Sequence, residues 1–187
     1  MQYRPFIEIL PKVTLRPPDL KMAEALFETI QENFAHLSRF LDFITEDLTV
    51  DAEKSYIKMM IQHQAESKGQ LFLIYYEDKL IGTIDLHKID LKNSKAEIGY
   101  WLAKGYTGKR IATESVAFIC GYAFKILGLN KLTIIADVRN IASNKVAENA
   151  GFHFVATDVQ DMNDGENFQD MNRYVLLRDH YDLAENN

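Results

Sequence analysis

One stretch limits the architectures open to this chain more than any other. Ala96–Leu102 (AEIGYWL) has the apolar and aromatic character of a strand, and it passes through Ala103-Lys-Gly-Tyr-Thr-Gly-Lys-Arg110 into Ile111–Leu127. The last segment carries apolar residues at helical spacing and stops at Gly128. A strand that turns into a helix presents unpaired backbone N–H groups and the positive end of the helix dipole, a natural seat for an anion such as a pyrophosphate. Gly105 and Gly108 ease close backbone approach, and Lys109 and Arg110 add positive charge at the same place. The stretch has no Gly-Lys-Ser/Thr of a P-loop and no Gly-x-Gly-x-x-Gly of a dinucleotide fold. Taken alone, an ordinary tight turn accounts for its glycines equally well.

The neighbouring segments supply the rest of a mixed α/β domain. Val13–Arg16 reads as a strand ending at Pro17-Pro18, after which Asp19 can cap a helix with Met22, Leu26 and Ile30 on one face. Val50–Ser67 reads as a second helix, and Gln70–Tyr76 and Leu80–Ile89 as an antiparallel hairpin around Glu77-Asp78-Lys79. After the central stretch come a strand at Lys131–Val138, a short helix at Ile141–Asn149 closed by Gly151, and strands at Phe152–Val159 and Tyr174–Arg178 around Asp164-Gly165. No repeat or low-complexity linker interrupts the series, and 187 residues with 47% hydrophobic content are enough for one core, so a single domain over 1–187 is expected.

Composition narrows the partners. The 21 basic and 27 acidic residues leave a net charge of −6, and the basic ones are scattered, which argues against a nucleic-acid binder. The single Cys120 cannot close an internal disulfide, Met1–Leu10 lacks the pattern of a secretory leader, and no segment has the roughly 20 apolar residues that span a bilayer. A cytoplasmic protein without membrane contact is expected. His36, His63, His87, His153 and His180 are too dispersed for a metal site and read as structural or surface residues.

Glu97-Ile-Gly-Tyr-Trp-Leu102, Thr107-Gly-Lys-Arg-Ile-Ala-Thr-Glu114, Asn140-Ile-Ala-Ser-Asn144 and Glu148-Asn-Ala-Gly-Phe152 together resemble, in order and spacing, the Gcn5-related (GNAT) N-acetyltransferases. The likeness covers most of the chain and is nearest to the ribosomal-protein N-terminal acetyltransferase (RimJ/RimL-like) branch. It implies a GNAT fold with a mostly antiparallel sheet, flanked by helices and splayed between the fourth and fifth strands, Ile98–Leu102 and Leu132–Val138. The family loop reads Gln/Arg-x-x-Gly-x-Gly/Ala, and here falls on Thr107, Gly108, Lys109, Arg110, Ile111 and Ala112. Thr107 departs from Gln/Arg, and Arg110 from glycine. The resemblance implies acetyl-CoA as co-substrate, held by this loop with Thr113, by Trp101 and Leu102 on the strand, and by Asn140 and Asn144.

Acetyl transfer to an amine needs a neutral amine, a polarised thioester carbonyl and a proton for the departing thiolate. Ser143, the serine of the Asn-x-x-Ser-Asn segment, is the acid that the resemblance implies; serving as a helix cap explains it as well. Asp161, four residues before Gly165, is the leading base, against a solvated loop acid beside Asp158, Asp164 and Glu166. Glu97 is the alternative base if it points to the acceptor side rather than to solvent. Asn33, Phe34 and His36–Phe43 could wall the acceptor site or simply pack, and Cys120 reads as helix core.

The resulting expectation is an acyltransferase that moves an acetyl group to the N-terminal α-amine of a protein such as a ribosomal protein. Two alternatives stay open: a small-amine acetyltransferase (polyamine, aminoglycoside or amino-acid analogue), and a non-catalytic coenzyme-binding homologue, which Thr107 and Arg110 would favour. A homodimer is compatible with the sequence, which does not set the oligomeric state.

Overall fold

The computed structural model describes residues 6–163 and 167–185; Asp164, Gly165 and Glu166, around which the last turn is expected, lie outside the described residues. Eight strands are seen among them: β1 (Ile7–Leu10), β2 (Val13–Arg16), β3 (Gln70–Tyr76), β4 (Lys79–Asp90), β5 (Lys95–Leu102), β6 (Lys131–Asp137), β7 (His153–Asn163) and β8 (Phe168–Leu177). They form one sheet in the order β1-β2-β3-β4-β5-β6-β8-β7. All neighbours run antiparallel except β5 and β6, which are parallel.

Helices cover both faces. On one lie α1 (Ala23–Glu32), the single turn α2 (Phe34–Leu37) and α3 (Val50–Ala65), packed on Leu71, Leu73, Tyr75 and Leu80. On the other lie α4 (Ile111–Gly121) and α5 (Ile141–Asn149), over Phe72, Ile74, Ile84, Leu86, Ile98, Leu132 and Ile134. The terminal α6 (Arg178–Glu185) sets Tyr181 against Phe124, ring centroids 5.2 Å apart. The period-2 alternation in β3 and β4 feeds the two cores separately, which is why β3 is buried along nearly its whole length.

Local chemistry sets the element ends. Thr49 accepts from the Ala52 N–H at 3.2 Å and starts α3; Asn140 accepts from the Ser143 N–H at 3.1 Å and starts α5. Ser143 itself caps nothing. Asp19 caps a 3-10 turn, Leu20–Met22, that leads into α1. The β3–β4 turn is tighter than the sequence reading: Tyr76 pairs with Lys79, and only Glu77-Asp78 intervene, with Glu77 at φ 53°. The helix expected through Leu127 changes winding at Tyr122, where a π-type turn to Ile126 brings both Ala123 and Phe124 into the core.

The expected splay is present. β5 and β6 pair only at Lys95–Lys131, Ala96–Leu132 and Glu97–Thr133, after which they part. β5 stays with β4 to the end, aided by Gly82, where a Cβ would collide with the Trp101 carbonyl oxygen. β6 stays with β8 as far as Asp137–Met171.

On the far side of the gap, Asn144 locks the strands to α5. Its Nδ2 donates to the carbonyls of Asp137 (2.9 Å) and Asn140 (2.8 Å), while its Oδ1 accepts from Asn172 Nδ2 (2.7 Å) and the Tyr174 hydroxyl (2.8 Å). The residue is 8% exposed. Asn144→Ala would strand several buried partners, and should cost about 2–4 kcal/mol in urea unfolding at unchanged secondary structure.

Candidate active site

The parted strands open a cleft of about 430 Å³ between Ile98–Leu102 and Ile134–Asp137, closed at one end by the start of α4 and along one side by α5. Thr107, Gly108 and Arg110–Thr113 line it, as do Asn140, Ser143, and His36, Leu37, Phe40 and Leu41 from the segment after α1. Burial, together with nearby Lys104, lowers the His36 pKa and favours its neutral form.

Among the described residues the backbone N–H groups from Gly108 to Thr113 have no partner; the first helical bond of this turn is Glu114 N–H to the Arg110 carbonyl, 3.0 Å. Consecutive free donors at a helix N-terminus form a concave seat for an anion. Gly108 takes φ 72°, and no atom lies within 4 Å of where its Cβ would stand, so the seat is open. Arg110 holds φ 62° as the residue before α4, a left-handed conformation that favours the glycine of the family pattern. Its guanidinium reaches back to Glu114 Oε1 at 3.1 Å and is otherwise exposed. Thr107 donates its hydroxyl to the Lys104 carbonyl at 2.9 Å, a turn-stabilising bond, and Lys109 lies over the Tyr106 ring outside the cleft. The residues present therefore fit a diphosphate held by main-chain donors.

The structure brings Trp101, Leu102, Thr107, Gly108, Arg110, Ile111, Ala112, Thr113, Asn140 and Ser143 to this cleft. Asn144 is absent from its lining because its amide is fully spent inside the fold. Ser143 Oγ lies 3.1 Å from the Tyr100 hydroxyl, which is also 3.0 Å from the Ser143 carbonyl. Burial raises the Tyr100 phenol to about 12 despite the Ser143 bond, so it stays protonated.

A second cavity, about 390 Å³, lies on the other face of β5 beneath α1 and α3, and shares Leu41, Gly99, Tyr100 and Trp101 with the first. Leu26, Ile30, Phe43, Leu48 and Ala52 give it apolar walls; Glu53, Tyr56, Thr83 and Asp85 are its polar groups. Glu53 is 5% exposed, and burial pushes its carboxyl up to about 6. Burial, with Asp85 and Glu53 nearby, also raises the Tyr56 phenol.

Neither carboxylate singled out from the sequence lines a cavity. Glu97 lies on the face of β5 opposite Ala96 and Ile98, where it accepts from Lys88 Nζ at 2.9 Å and lies 3.4 Å from His87 Nε2. The His87 bond holds Glu97 at about 2 against the effect of burial, a poor base. His87 is more than a surface residue. Burial opposes its charge, yet hydrogen bonds to Asp85 (2.7 Å) and Glu97 raise the imidazole to about 9, so it stays protonated between the two acids. Asp161 is exposed on edge strand β7, beyond the bulge at Gln160, and has no place in either cavity. Sequence reasoning missed Glu53 and Asp85. The available signal was the polar alternation Thr83, Asp85, His87 within β4, a strand paired on both edges. No cluster of three or more His, Cys, Asp or Glu among the described residues is arranged for a metal, and no helix there is long and apolar enough to cross a membrane.

These features have counterparts in known proteins. The family described as acetyltransferase (GNAT) domain matches residues 12–153. Over 141 residues the chain is 38% identical to the putative ribosomal N-acetyltransferase YdaF of Bacillus subtilis (strain 168), covering 75% of this chain and 77% of that protein. It is 30% identical over 131 residues to the ribosomal-protein-serine acetyltransferase of Escherichia coli (strain K12), 69% of this chain and 72% of that one. The microcin C7 self immunity acetyltransferase MccE, solved with acetyl-CoA and AMP, matches the fold with TM-score 0.87 at 25% identity, over 94% of this chain and 97% of its own. The parted strands, the free amides at α4 and the family match over residues 12–153 agree: the chain is an acetyltransferase and belongs to the GNAT family.

Proposed function

We propose that the chain transfers the acetyl group of acetyl-CoA to a primary amine, and that the amine is the N-terminal α-amine of a protein. GNAT acetyltransferases use acetyl-CoA, and one matched structure contains it. The observation that carries the reading is the row of unpartnered amides, Gly108–Thr113, opening onto a gap between strands that leads to a second, partly acidic cavity. The N-terminal acceptor is supported by the relatives named for ribosomal proteins.

In this reading the amides of Gly108–Thr113 hold the diphosphate. The free edges of β5 and β6 pair with amide groups of the pantetheine arm, as an added strand would. When bound, acetyl-CoA supplies an acetyl group activated as a thioester. Ser143 Oγ, on the cleft wall, gives a proton to the leaving sulfur, and Tyr100 orients that hydroxyl. The half-buried Trp101 on β5 stands between the amine route and the coenzyme route. No side chain forms a covalent bond to the acyl group, since Cys120 is fully buried and its burial pushes the thiol up.

Isothermal titration of coenzyme A into the protein tests the first step: heat of binding is expected, and its absence from the folded protein overturns the reading. Acetyl-CoA turnover against a panel of peptides and amines tests the second, with α-amines of peptides preferred. Ser143→Ala should lower kcat by about 10–100-fold with coenzyme Kd unchanged. Arg110→Gly relieves a left-handed backbone and loses only an exposed pair, so it should raise stability by about 0.5 kcal/mol. Because main-chain donors hold the diphosphate, the same variant should shift coenzyme Kd by less than roughly threefold.

A further inference from the structure

The second cavity contains a group that the fold does not need. Glu53 sits on the first turn of α3, where an exposed glutamate would simply complement the helix dipole. Instead it is 5% exposed, and its carboxyl has no hydrogen-bond or ion partner among the described residues. A buried carboxylate without a partner is destabilising, a cost that a cationic ligand in the cavity would offset. Thr83, 3% exposed, is a second polar side chain of the cavity with no partner among the described residues. No Lys, Arg or His lines the space.

We propose that this cavity is the acceptor pocket, that Glu53 binds the acceptor ammonium and takes its proton, and that the pocket selects an amine with a single positive charge beside an apolar side chain. The inference rests on the acetyl-transfer reading above and names the substrate class of that same site. Three observations carry it. The cavity meets the coenzyme cleft at Gly99, Tyr100 and Trp101, so an amine held at Glu53 has a route to the gap between the strands. Its walls are Leu26, Ile30, Leu41, Phe43 and Leu48, which reward an apolar group and offer a second or third ammonium nothing. Its other acid, Asp85, is already hydrogen-bonded to the His87 imidazole at 2.7 Å, which leaves Glu53 as the acid of the cavity without a partner among the described residues.

The titratable groups that line the cavity with Glu53 are Tyr56 on its own helix, Asp85 on β4, with His87 behind Asp85, and Tyr100 on β5; α1, the rest of β5 and the 41–48 segment contribute Leu26, Ile30, Leu41, Phe43, Leu48, Gly99 and Trp101. Burial places the carboxyl at about 6, so it is ionised, and able to accept a proton, near neutral pH. In the reaction the ammonium gives one proton to Glu53. The C–N bond then forms as the C–S bond breaks, and a second amine proton balances the one delivered to sulfur through Ser143. The third stays on the amide, and Glu53 returns its proton to solvent.

The test compares wild type, Glu53→Gln and Glu53→Asp with acetyl-CoA and three acceptors: a tetrapeptide with N-terminal leucine, leucinamide and spermidine. The peptide and the free amide present the same chemistry, and the ratio of their kcat/KM tells a chain terminus from a free small amine. Glu53→Gln should lower kcat/KM for both leucine acceptors by about 100-fold and abolish the rise in rate between pH 5 and about 7, with partial recovery in Glu53→Asp. Calorimetry in the presence of coenzyme A should show the leucine peptide losing at least roughly tenfold in affinity to the glutamine variant, while coenzyme A itself binds as before. The glutamine variant should melt higher than wild type above pH 6, because the folded pKa is raised and the ionised form is the one that burial penalises. Retention of wild-type kcat/KM and peptide affinity in Glu53→Gln overturns the proposal, as does a preference of wild type for spermidine. Neither result touches coenzyme binding, which the titration above tests separately.

Discussion

β5 and β6 pair over Lys95–Glu97 and Lys131–Thr133 and then diverge, and the site exists because they do. A parallel pair inside a covered sheet would normally continue, since each unpaired buried amide or carbonyl loses on the order of 1–3 kcal/mol. The divergence is enforced from both sides. Gly82 lets the Trp101 carbonyl close onto β4, and Ala103 N–H donates to the Ile81 carbonyl at 2.7 Å, so the end of β5 is drawn toward β4. The end of β6 is drawn the opposite way by β8 and by the Asn144 hub. The strand edges left exposed in the gap are donors and acceptors waiting for a chain-like ligand. Tyr100 bridges the gap to Ser143, so the acid of the proposed reaction is positioned by the strand that makes the opening.

The division of labour between backbone and side chains follows from that geometry. At the coenzyme end the donors are main-chain amides, which tolerate Thr107 and Arg110 where the family pattern has other residues, provided the φ of about +60° can be adopted. In the proposed acceptor pocket the polar and aromatic groups are side chains that different elements contribute: Glu53 and Tyr56 from α3, Thr83 and Asp85 from β4 and Trp101 from β5. The first kind of site is fixed by topology; the second changes with single substitutions, and acceptor identity therefore does not follow from fold.

The same split explains what could be read from the sequence. The elements fed by strong periodicity or turn chemistry, β3, β4, β5, α4 and α5, stand within a residue or two of where the sequence places them, apart from the changed winding after Gly121. β1 is four residues long between Phe6 and Pro11, too short to show alternation, and α6, though amphipathic, follows directly on β8 and packs Tyr181 on Phe124. The loop before α4 was legible because glycine and a helix start are local signals. Asn140 and Ser143 were found by segment, but Asn144, one residue further along α5, turns into the core, a difference of helical phase that spacing does not show. The acids were not legible. Asp161 draws attention by standing near a glycine turn, whereas Glu53 resembles an ordinary first-turn glutamate until the loop with Phe43 and Leu48 is folded over it.

Three carboxylates near β5 end up with distinct roles through their surroundings alone. Glu97, paired with Lys88 and His87, is held near 2 and is an ion-pair anchor; Glu53, alone among leucines and aromatics, is raised to about 6 and can exchange a proton. Asp85 stands between them, tied to the same imidazole as Glu97 and facing the same cavity as Glu53. His87 carries a positive charge up to about 9 between Asp85 and Glu97, and Lys88 Nζ adds a second cation to Glu97 at 2.9 Å. The rise of the Glu53 carboxyl has a different cause, its burial among apolar walls. Environment rather than residue type sorts these acids: ion pairs hold Glu97 down, and burial holds Glu53 up.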